Sequence, residues 1–599
     1  MEREKTLSTT YAVPLIFVLA VVPLVALIAI YSTDIGENTW ISGTAFYDFF
    51  LYYKSHLLMV IGLVLAAILV VSLRMGYYGN WQAKRTYAVL VPLGVFALMA
   101  CLSAFLSSHR KDALFGGYEQ FEGLFVMFAY FFCFLFTYLY VTNGEWVQTL
   151  VRALIVGSLI LSFLGALQTV GVDYMTNKSM LPILTMFLKN VPENFSITAS
   201  FGEGVAYSTL YNPNYVGTYV ALVLPVTVFG GIWEKNMVYR ILAIASSVCQ
   251  LIMLVGAGSF AGMIGVVASA GMAFVFLFAD VRKNKKMLLA IASVFVVGLL
   301  TCVTVKPDLL RRFTETAISS CNYTVSAIET KGDTFIISLD NGQTLTAKTK
   351  SNSATYDLQW TDSAGKQVAT KGEVSTGLVM ADEKYSGLTF VAGKKELERK
   401  EKKQSYDTLR IQVTDTVYWD LLLLEGKWYY LNRIGKVDTL RKVTSYGFAH
   451  QYDLATNRGY IWSRTIPLLK ETVFLGKGAD NFVYAFPNDD YVGKINCGFD
   501  SQTVTKPHNM YMQIWVQDGM FACLALIFLY ALLAVWTVRR CFVKGRLTVA
   551  QKLQIGIFCS LTGYMIAGIA NDSTICVAPI FWALLGLGFA LDAWEKEKK

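Results

Sequence analysis

Apolar runs long enough to cross a lipid bilayer recur along this chain, separated by short polar stretches. A transmembrane helix needs about 20 apolar residues to cross about 30 Å of hydrocarbon. The first run follows a charged start and exceeds the ~7–15 residues of a signal-peptide core, so we expect it to be retained. Hydropathy therefore predicts about twelve spans, at residues 11–31, 55–73, 87–107, 121–141, 148–170, 213–232, 237–256, 259–279, 287–305, 511–537, 552–571 and 574–591.

A much more polar segment of about two hundred residues, 306–510, interrupts the apolar pattern. Within it, alternating apolar residues on either side of Asp340-Asn341-Gly342 predict a β-hairpin, and a second hairpin is predicted around Glu425-Gly426. The Lys- and Glu-rich patch at 394–403 is interpreted as a solvated helix or linker. From about Ser445, helical spacing returns, with apolar positions such as Ile461, Trp462, Ile466 and Leu469.

These patterns predict an all-α polytopic membrane protein with an inserted, extracytoplasmic β-rich domain. The expected order is helices 1–9 in residues 1–305, a connector at 306–320, the β insertion at 321–440, a membrane-proximal loop at 441–510 and helices 10–12 in 511–599. A short apolar stretch, Met180 to Leu188, is too short to span and predicts an interfacial or re-entrant helix. Cys321 and Cys497 are the two cysteines of the outer segments, and a disulfide between them is one possibility.

The charge distribution supports this topology. The chain is 54% hydrophobic and only 16% charged, with a formal net charge of +9. About nineteen Lys and Arg fall in the tails and loops placed inside, against about five in the short outer loops, which predicts that both termini are cytoplasmic. The excess positive charge is thereby explained by membrane topology, so no nucleic-acid partner is expected.

His508 is the strongest candidate for acid–base chemistry. It lies where the outer segment meets the tenth span, between Lys506 and Asn509. The nearby lysine disfavours the imidazolium, and a neutral imidazole is the form that takes a proton from an acceptor hydroxyl. The alternative is a histidine that only hydrogen-bonds at a helix start, with Asn509 as the cap.

Basic and amide side chains near the same membrane boundary are candidate substrate ligands. Arginine offers a planar fork of donors suited to phosphate oxygens, and glycine-flanked lysine can also approach an anion. Arg110 and Lys111 lie outside against the positive-inside trend, which favours an anionic ligand. For each of these residues a surface, turn or capping role is the alternative. The candidates are Arg458, Arg464, Lys477, Lys506, Arg110, Lys111, Asn212, Asn214 and Asn509.

The order of the motifs NPNYVG (212–217), NRGYIW (457–462), FLGKGADNF (474–482) and KPHNMYMQIWVQDGM (506–520) resembles the O-antigen ligase family. That family includes related polysaccharide polymerases and protein O-oligosaccharyltransferases. The resemblance implies a GT-C-like bundle that moves a glycan from an undecaprenyl diphosphate donor to an acceptor hydroxyl, without cofactor or metal. It further implies that His508 activates the acceptor and that Arg458 contacts the diphosphate.

One position departs from the family pattern. Where the family carries a Ser-Arg pair at the start of the eighth span, this chain has Ser259 followed by Phe260. The sequence predicts an envelope glycosyltransferase of the bacterial plasma membrane, with a glycan, lipid or protein as acceptor, and leaves ligase and polymerase equally open. Two alternatives are an exporter of polysaccharide or lipid-linked oligosaccharide, and a non-catalytic cell-wall scaffold.

Overall fold

The computed structural model describes residues 7–594 apart from 33–34, 36–44, 83–84, 190, 192–194, 198–200, 282–321, 351–355, 400–401, 434, 499, 501 and 543–546. The predicted ninth span, the connector at 306–320 and Cys321 therefore lie outside the described residues. The pairing of Cys321 with Cys497 stays a prediction.

Membrane-type helices flank a separate β region. Seven of the described helices are long and apolar enough to cross a membrane: Tyr52–Arg74, Thr86–Leu106, Gly144–Thr169, Pro213–Trp233, Met237–Ala257, Phe260–Val281 and Met520–Cys541. Three further helices coincide with predicted spans: Leu124–Tyr140, Val549–Ala567 and Ala578–Trp594. The prediction of a multi-pass helical membrane protein with a β insertion is confirmed at this level.

The helices pack through apolar and small residues. Their outward faces carry exposed apolar side chains such as Leu63, Leu98 and Phe163, as lipid-facing helices do. Inside, the helices Pro213–Trp233 and Phe260–Val281 approach so closely that a Cβ on Gly262 would collide with the backbone of Gly217. Small residues at such crossings allow the dispersion contacts that hold membrane helices together.

Two predicted spans differ from continuous helices. In the first, helical turns cover only Thr9–Leu24, and the chain then continues extended into β1, because Pro23 removes a backbone donor and limits the helix. The tenth is divided into Met510–Asp518 and Met520–Cys541 by Gly519, whose φ of 98° lies in the region that favours glycine. Its first half is thereby a separate short helix.

The β region contains two main antiparallel sheets, ordered β3-β4-β5-β6 and β13-β12-β11-β10-β9, and the two-stranded sheet β7-β8, while another two-stranded sheet, β1-β2, precedes the helix Tyr52–Arg74. Both predicted hairpins are confirmed, as β4–β5 and β11–β12. The strands are β1 Ala29–Ser32, β2 Ala45–Asp48, β3 Val325–Lys331, β4 Thr334–Leu339, β5 Thr344–Thr349, β6 Leu358–Asp362, β7 Thr370–Lys371, β8 Val379–Met380, β9 Thr389–Arg399, β10 Lys402–Gln412, β11 Tyr418–Leu424, β12 Lys427–Leu431 and β13 Val437–Asp438.

The helix or linker predicted at 394–403 is wrong. Residues 394–399 belong to β9 and residues 402–403 to β10, and these two strands pair from Thr389–Gln412 to Arg399–Lys402. The register sets Asp407 directly opposite Lys394, and opposite charges across an antiparallel pair stabilise it. Composition suggested a solvated segment, whereas cross-strand charge pairing allows the same residues to form a ladder.

The segment after the β region contains the helices Leu454–Glu471, Phe482–Ala485 and Tyr491–Asn496, which precede Met510–Asp518. The helix Tyr491–Asn496 contributes Tyr491, Val492 and Ile495 to the hydrophobic core of the β region. The Tyr491 hydroxyl also donates to Asp438 of β13, at 2.5 Å. Through this helix, the β region and the helical segment that follows it share one core.

Candidate active site

A cavity of about 730 Å³ lies where several helices begin or end. Its walls include residues from the segments 118–119, 211–215, 456–461, 502–508 and 571–572. Pockets of about 300–1,000 Å³ are typical of small-molecule sites. We call it the catalytic cavity, because it is lined by His508, the predicted base.

His508 lies on this wall, just before the helix Met510–Asp518. Its Nδ1 is 2.8 Å from Oδ2 of Asp572, in the turn between the last two helices. Asn509 holds the two segments together, since its side chain caps the helix at Met512 N and donates to the Ile569 carbonyl. The His508 side chain is 36% exposed, and that of Asp572 is 1% exposed.

The charge state of Asp572 decides which histidine nitrogen is free. Burial by itself raises the pKa of Asp572, but the neighbouring His508, Lys506 and Arg458 outweigh that effect and hold the pKa below its ordinary value. A carboxylate can only accept, so Nδ1–H of His508 donates to Asp572 and Nε2 carries the lone pair. The other carboxylate oxygen, Oδ1, is buried and has no hydrogen-bond partner among the described residues.

Lys506 is a buried cation on the same wall, 6% exposed. Its ammonium donates to the Tyr215 hydroxyl at 2.6 Å and to the Glu119 carbonyl at 3.1 Å. Within the described part of the chain it makes no salt bridge. An ammonium has three donors, so one remains for a ligand. A buried positive charge without a paired carboxylate favours an anion in the cavity.

Arg458 stands behind the wall instead of lining it. Its guanidinium donates to the carbonyls of Ala570 at 2.9 Å and Ala455 at 2.7 Å, and it approaches Asn571 Oδ1 at 3.5 Å. The side chain is 9% exposed. Arg458 therefore braces the turn that carries Asp572 and adds positive charge behind that carboxylate.

The other predicted basic ligands lie elsewhere. Arg464 forms a buried ion pair with Asp490 at 2.9 Å and faces a neighbouring cavity. Lys477 pairs with Glu471 at 2.9 Å on the surface. Arg110 and Lys111 line another cavity, which adjoins the catalytic cavity at Tyr118.

The amide candidates divide between wall and scaffold. Asn212 and Asn214 line the cavity, and Asn212 caps the helix Pro213–Trp233 by accepting from Asn214 N at 2.8 Å. The Ser259 hydroxyl donates to the side-chain oxygen of the wall residue Asn214 at 3.5 Å, so Phe260, the position of the family arginine, follows a residue that contacts the wall. Asn509 is a scaffold residue that does not line the cavity.

Several residues of the cavity wall escaped the sequence reasoning, above all Asp572, Asn571 and Glu119. The Asn571 side chain donates to Thr218 Oγ1 at 2.8 Å, tying the last turn to the helix Pro213–Trp233. The sequence signal for Asp572 was an acidic residue between two apolar runs. Ionisable residues within membrane segments are rare and often functional.

Left-handed backbone conformations concentrate on the cavity wall. Five non-glycine wall residues have φ between 52° and 77°: Glu119, Tyr211, Thr456, Asn457 and His508. Such conformations cost about 1–3 kcal/mol each and persist where the surrounding structure fixes them, often at active sites. The regular helix after residue 454 begins only beyond Asn457.

Comparison with known proteins agrees with this location. Residues 419–528 match the family model described as O-antigen ligase. The match spans His508, Lys506 and Arg458, confirms the resemblance over this segment and supports an O-antigen ligase family assignment. It begins in β11, so it also covers residues 419–440 of the β region, where no resemblance was expected. Neither the curated proteins nor the solved structures gave a match.

Proposed function

We propose, on the basis of the O-antigen ligase family assignment, that this membrane protein is a glycosyltransferase of envelope polysaccharide assembly. It moves a glycan from an undecaprenyl diphosphate donor to an acceptor hydroxyl. The observation that carries the proposal is the His508–Asp572 pair, 2.8 Å apart on the wall of a polar cavity that also holds the buried Lys506. A base and an unpaired cation side by side suit deprotonation of an alcohol next to a departing diphosphate.

In the proposed reaction, Nε2 of His508 takes the proton of the acceptor hydroxyl. The acceptor oxygen forms a bond to the anomeric carbon while the bond from that carbon to the diphosphate oxygen breaks, with inversion. The electron pair of the broken bond leaves on the diphosphate. Asp572 stabilises the imidazolium that forms, because it accepts the hydrogen bond from Nδ1.

The donor diphosphate is assigned to the side of the cavity near Lys506. The helix Pro213–Trp233 begins there and directs the positive end of its dipole to the same wall. The family pattern has an arginine where this chain has Phe260. In the proposal, Lys506 supplies that positive charge instead. Arg458 acts through the turn at 570–572 and contributes a second, indirect positive charge.

The proposal extends to the membrane topology. We expect twelve spans in a GT-C-like bundle in the bacterial plasma membrane, with both termini cytoplasmic and the cavity at the outer end. The reaction needs no metal, since the base and the anion-stabilising charge are both side chains. A lipid-linked donor reaches the cavity from the bilayer, consistent with a site placed at helix ends.

The test is His508→Ala in the full-length protein, reconstituted in vesicles with a fluorescent lipid-linked glycan. Loss of a general base typically costs about 10²–10⁴ in rate, so transfer should nearly vanish while folding and insertion persist. The matched control is His450→Ala, because His450 is an outer histidine with positive φ and an acidic neighbour, Asp340, at 3.5 Å. Wild-type transfer by His508→Ala would refute the role, and glycan export without loss of the diphosphate link would identify an exporter.

A further inference from the structure

A second cavity of about 920 Å³ adjoins the catalytic cavity. Tyr118 lines both, and the Phe46 ring, on the wall of the catalytic cavity, packs edge-on against Tyr118 with centroids 5.1 Å apart. The second cavity is formed by β1, by the start of the helix Tyr52–Arg74 and by the segment 107–121. A transferase with two substrates needs two adjoining sites, and only the donor has been assigned so far.

The border of the second cavity is basic. Arg110 and Lys111 are both exposed, and neither makes an ion pair in the part of the chain that the structure describes. His56 and His109 line the same space, and the His109 ring stacks on Tyr484 at 3.7 Å. The described lining has one carboxylate, Asp112, which accepts a hydrogen bond from the Tyr484 hydroxyl. Two unpaired cations against one engaged carboxylate favour an anionic ligand.

The inner surface of the second cavity is aromatic. Phe121 packs edge-on against Tyr31 and Tyr52, with ring centroids 4.9 Å and 5.6 Å apart, and all three line the cavity. Aromatic rings that also carry hydroxyls combine apolar area with hydrogen bonding. A saccharide ring presents the same combination, with C–H faces and hydroxyl edges, so this surface suits a sugar.

The remaining edge is apolar and exposed. Phe115 lines the cavity, is 53% exposed and packs against Phe125 with centroids 5.1 Å apart. Phe105 and Leu106, at the end of the adjacent membrane helix, are also exposed. Basic residues next to an exposed apolar border are typical of contact with lipid headgroups.

From these three surfaces we infer that the second cavity binds the acceptor, and that the acceptor is a membrane-anchored saccharide with a phosphate between lipid and sugar. The lipid lies along Phe115, the phosphate contacts Arg110 and Lys111, and the sugar passes Tyr118 to reach His508. This inference rests on the proposed transferase function. It reassigns Arg110 and Lys111 from the donor to the acceptor and makes a phosphate-bearing lipid, not a protein, the substrate class.

Binding is tested without transfer, using farnesyl phosphoryl glucose with a diazirine in its tail and the full-length protein in phosphatidylcholine vesicles. We expect labelling within residues 105–121. Arg110→Gln/Lys111→Gln should lower it about 100-fold, since each charge-assisted contact is worth about tenfold. The control Lys178→Gln/Lys189→Gln likewise removes two exposed positive charges, but neither lysine lines a cavity described above. This control should be labelled as strongly as the wild type.

A farnesyl glucoside of the same tail, lacking the phosphate, should label as weakly as the double variant, and millimolar inorganic phosphate should not compete. Equal labelling of wild type and double variant, or by the neutral glucoside, would overturn the inference. Competition by inorganic phosphate as strong as by the lipid would identify a free-phosphate site and would also overturn it.

A second readout uses transfer. With the host acceptor lipid, Arg110→Gln/Lys111→Gln should raise the half-saturating acceptor concentration at least tenfold and leave that of the donor unchanged. A parallel rise for the donor would return these residues to the donor site and refute the assignment. If the wild-type protein transfers nothing, the proposed function fails, whereas the labelling result still decides whether the second cavity binds a lipid phosphate.

Discussion

Replacing Asp572 by asparagine removes one buried charge from the catalytic cavity while preserving the side-chain shape. Asp572 stabilises the imidazolium of His508 across 2.8 Å. With charge centres about 4 Å apart and an effective dielectric of about 20, the attraction is about 4 kcal/mol. Because His508 is 36% exposed, solvent screens part of it. We therefore expect the rate of transfer to fall about 10²–10³-fold, at about 1.4 kcal/mol per factor of ten.

Donor binding should respond in the opposite direction. Without the Asp572 carboxylate, the positive charges of Lys506 and Arg458 lose their neutralising neighbour. The half-saturating donor concentration should stay equal or fall while turnover falls. The assay is steady-state transfer in vesicles at several donor concentrations. Asp420→Asn is the control, since it breaks a carboxylate–arginine pair with Arg410 inside the β region, away from the cavity.

Acid stability gives an independent check. The pKa of folded Asp572 lies below its ordinary value, so its ionised form stabilises the fold at pH above about 3.9, and this contribution is lost as pH falls through the lowered pKa. The asparagine variant should lack that loss. Wild-type turnover in Asp572→Asn, or weaker donor binding with unchanged turnover, would refute the reasoning that Asp572 acts through His508.

Two further predictions concern the surroundings of the cavity. Arg458→Gln should lower the free energy of unfolding by about 2–4 kcal/mol and abolish transfer. Arg458→Lys should not restore transfer, because one ammonium cannot reach Ala570, Ala455 and Asn571 together. Thermal unfolding measures the stability, and the vesicle assay measures the transfer. Burial raises the pKa of Asp480 to about 7, so its stabilising contribution is lost as pH rises through 7. Burial also lowers the pKa of Lys494 to about 7, and Lys494 titrates in both proteins. The change in Tm from pH 6 to pH 8 should therefore be less negative in Asp480→Asn than in the wild type, and equal changes in the two proteins would contradict this.

Local patterns in the sequence predicted what depends on local physics. The hairpins at Asp340–Gly342 and Glu425–Gly426 follow from turn chemistry and alternation, and both are present. The membrane helices follow from apolar run length. The sequence predicted that His508 lies at the membrane boundary, because this residue stands between a polar segment and an apolar run. The helix or linker predicted at 394–403 was wrong because amino-acid composition does not show which residues pair across two strands.

The partners of the candidate base required tertiary structure. Asp572 is 64 residues beyond His508 in the chain, and the distance between them is set by the packing of the last two helices. Likewise, nothing local shows that Arg464 is engaged by Asp490 or that Arg458 faces the turn at 570–571. Arginine type and membrane proximity predicted Arg458 and Arg464 as anion ligands, but neither lines this cavity, whereas the predicted ligand Lys506 does.

The shared core between the β region and the helix Tyr491–Asn496 bears on protein engineering. A chimera that exchanged the β region at its last strand would leave Tyr491, Val492 and Ile495 without their apolar neighbours and would unseat Asp490, which begins that helix and holds Arg464. A portable cassette should therefore extend through Asn496. Grafting that longer unit onto a relative would show whether acceptor choice travels with it.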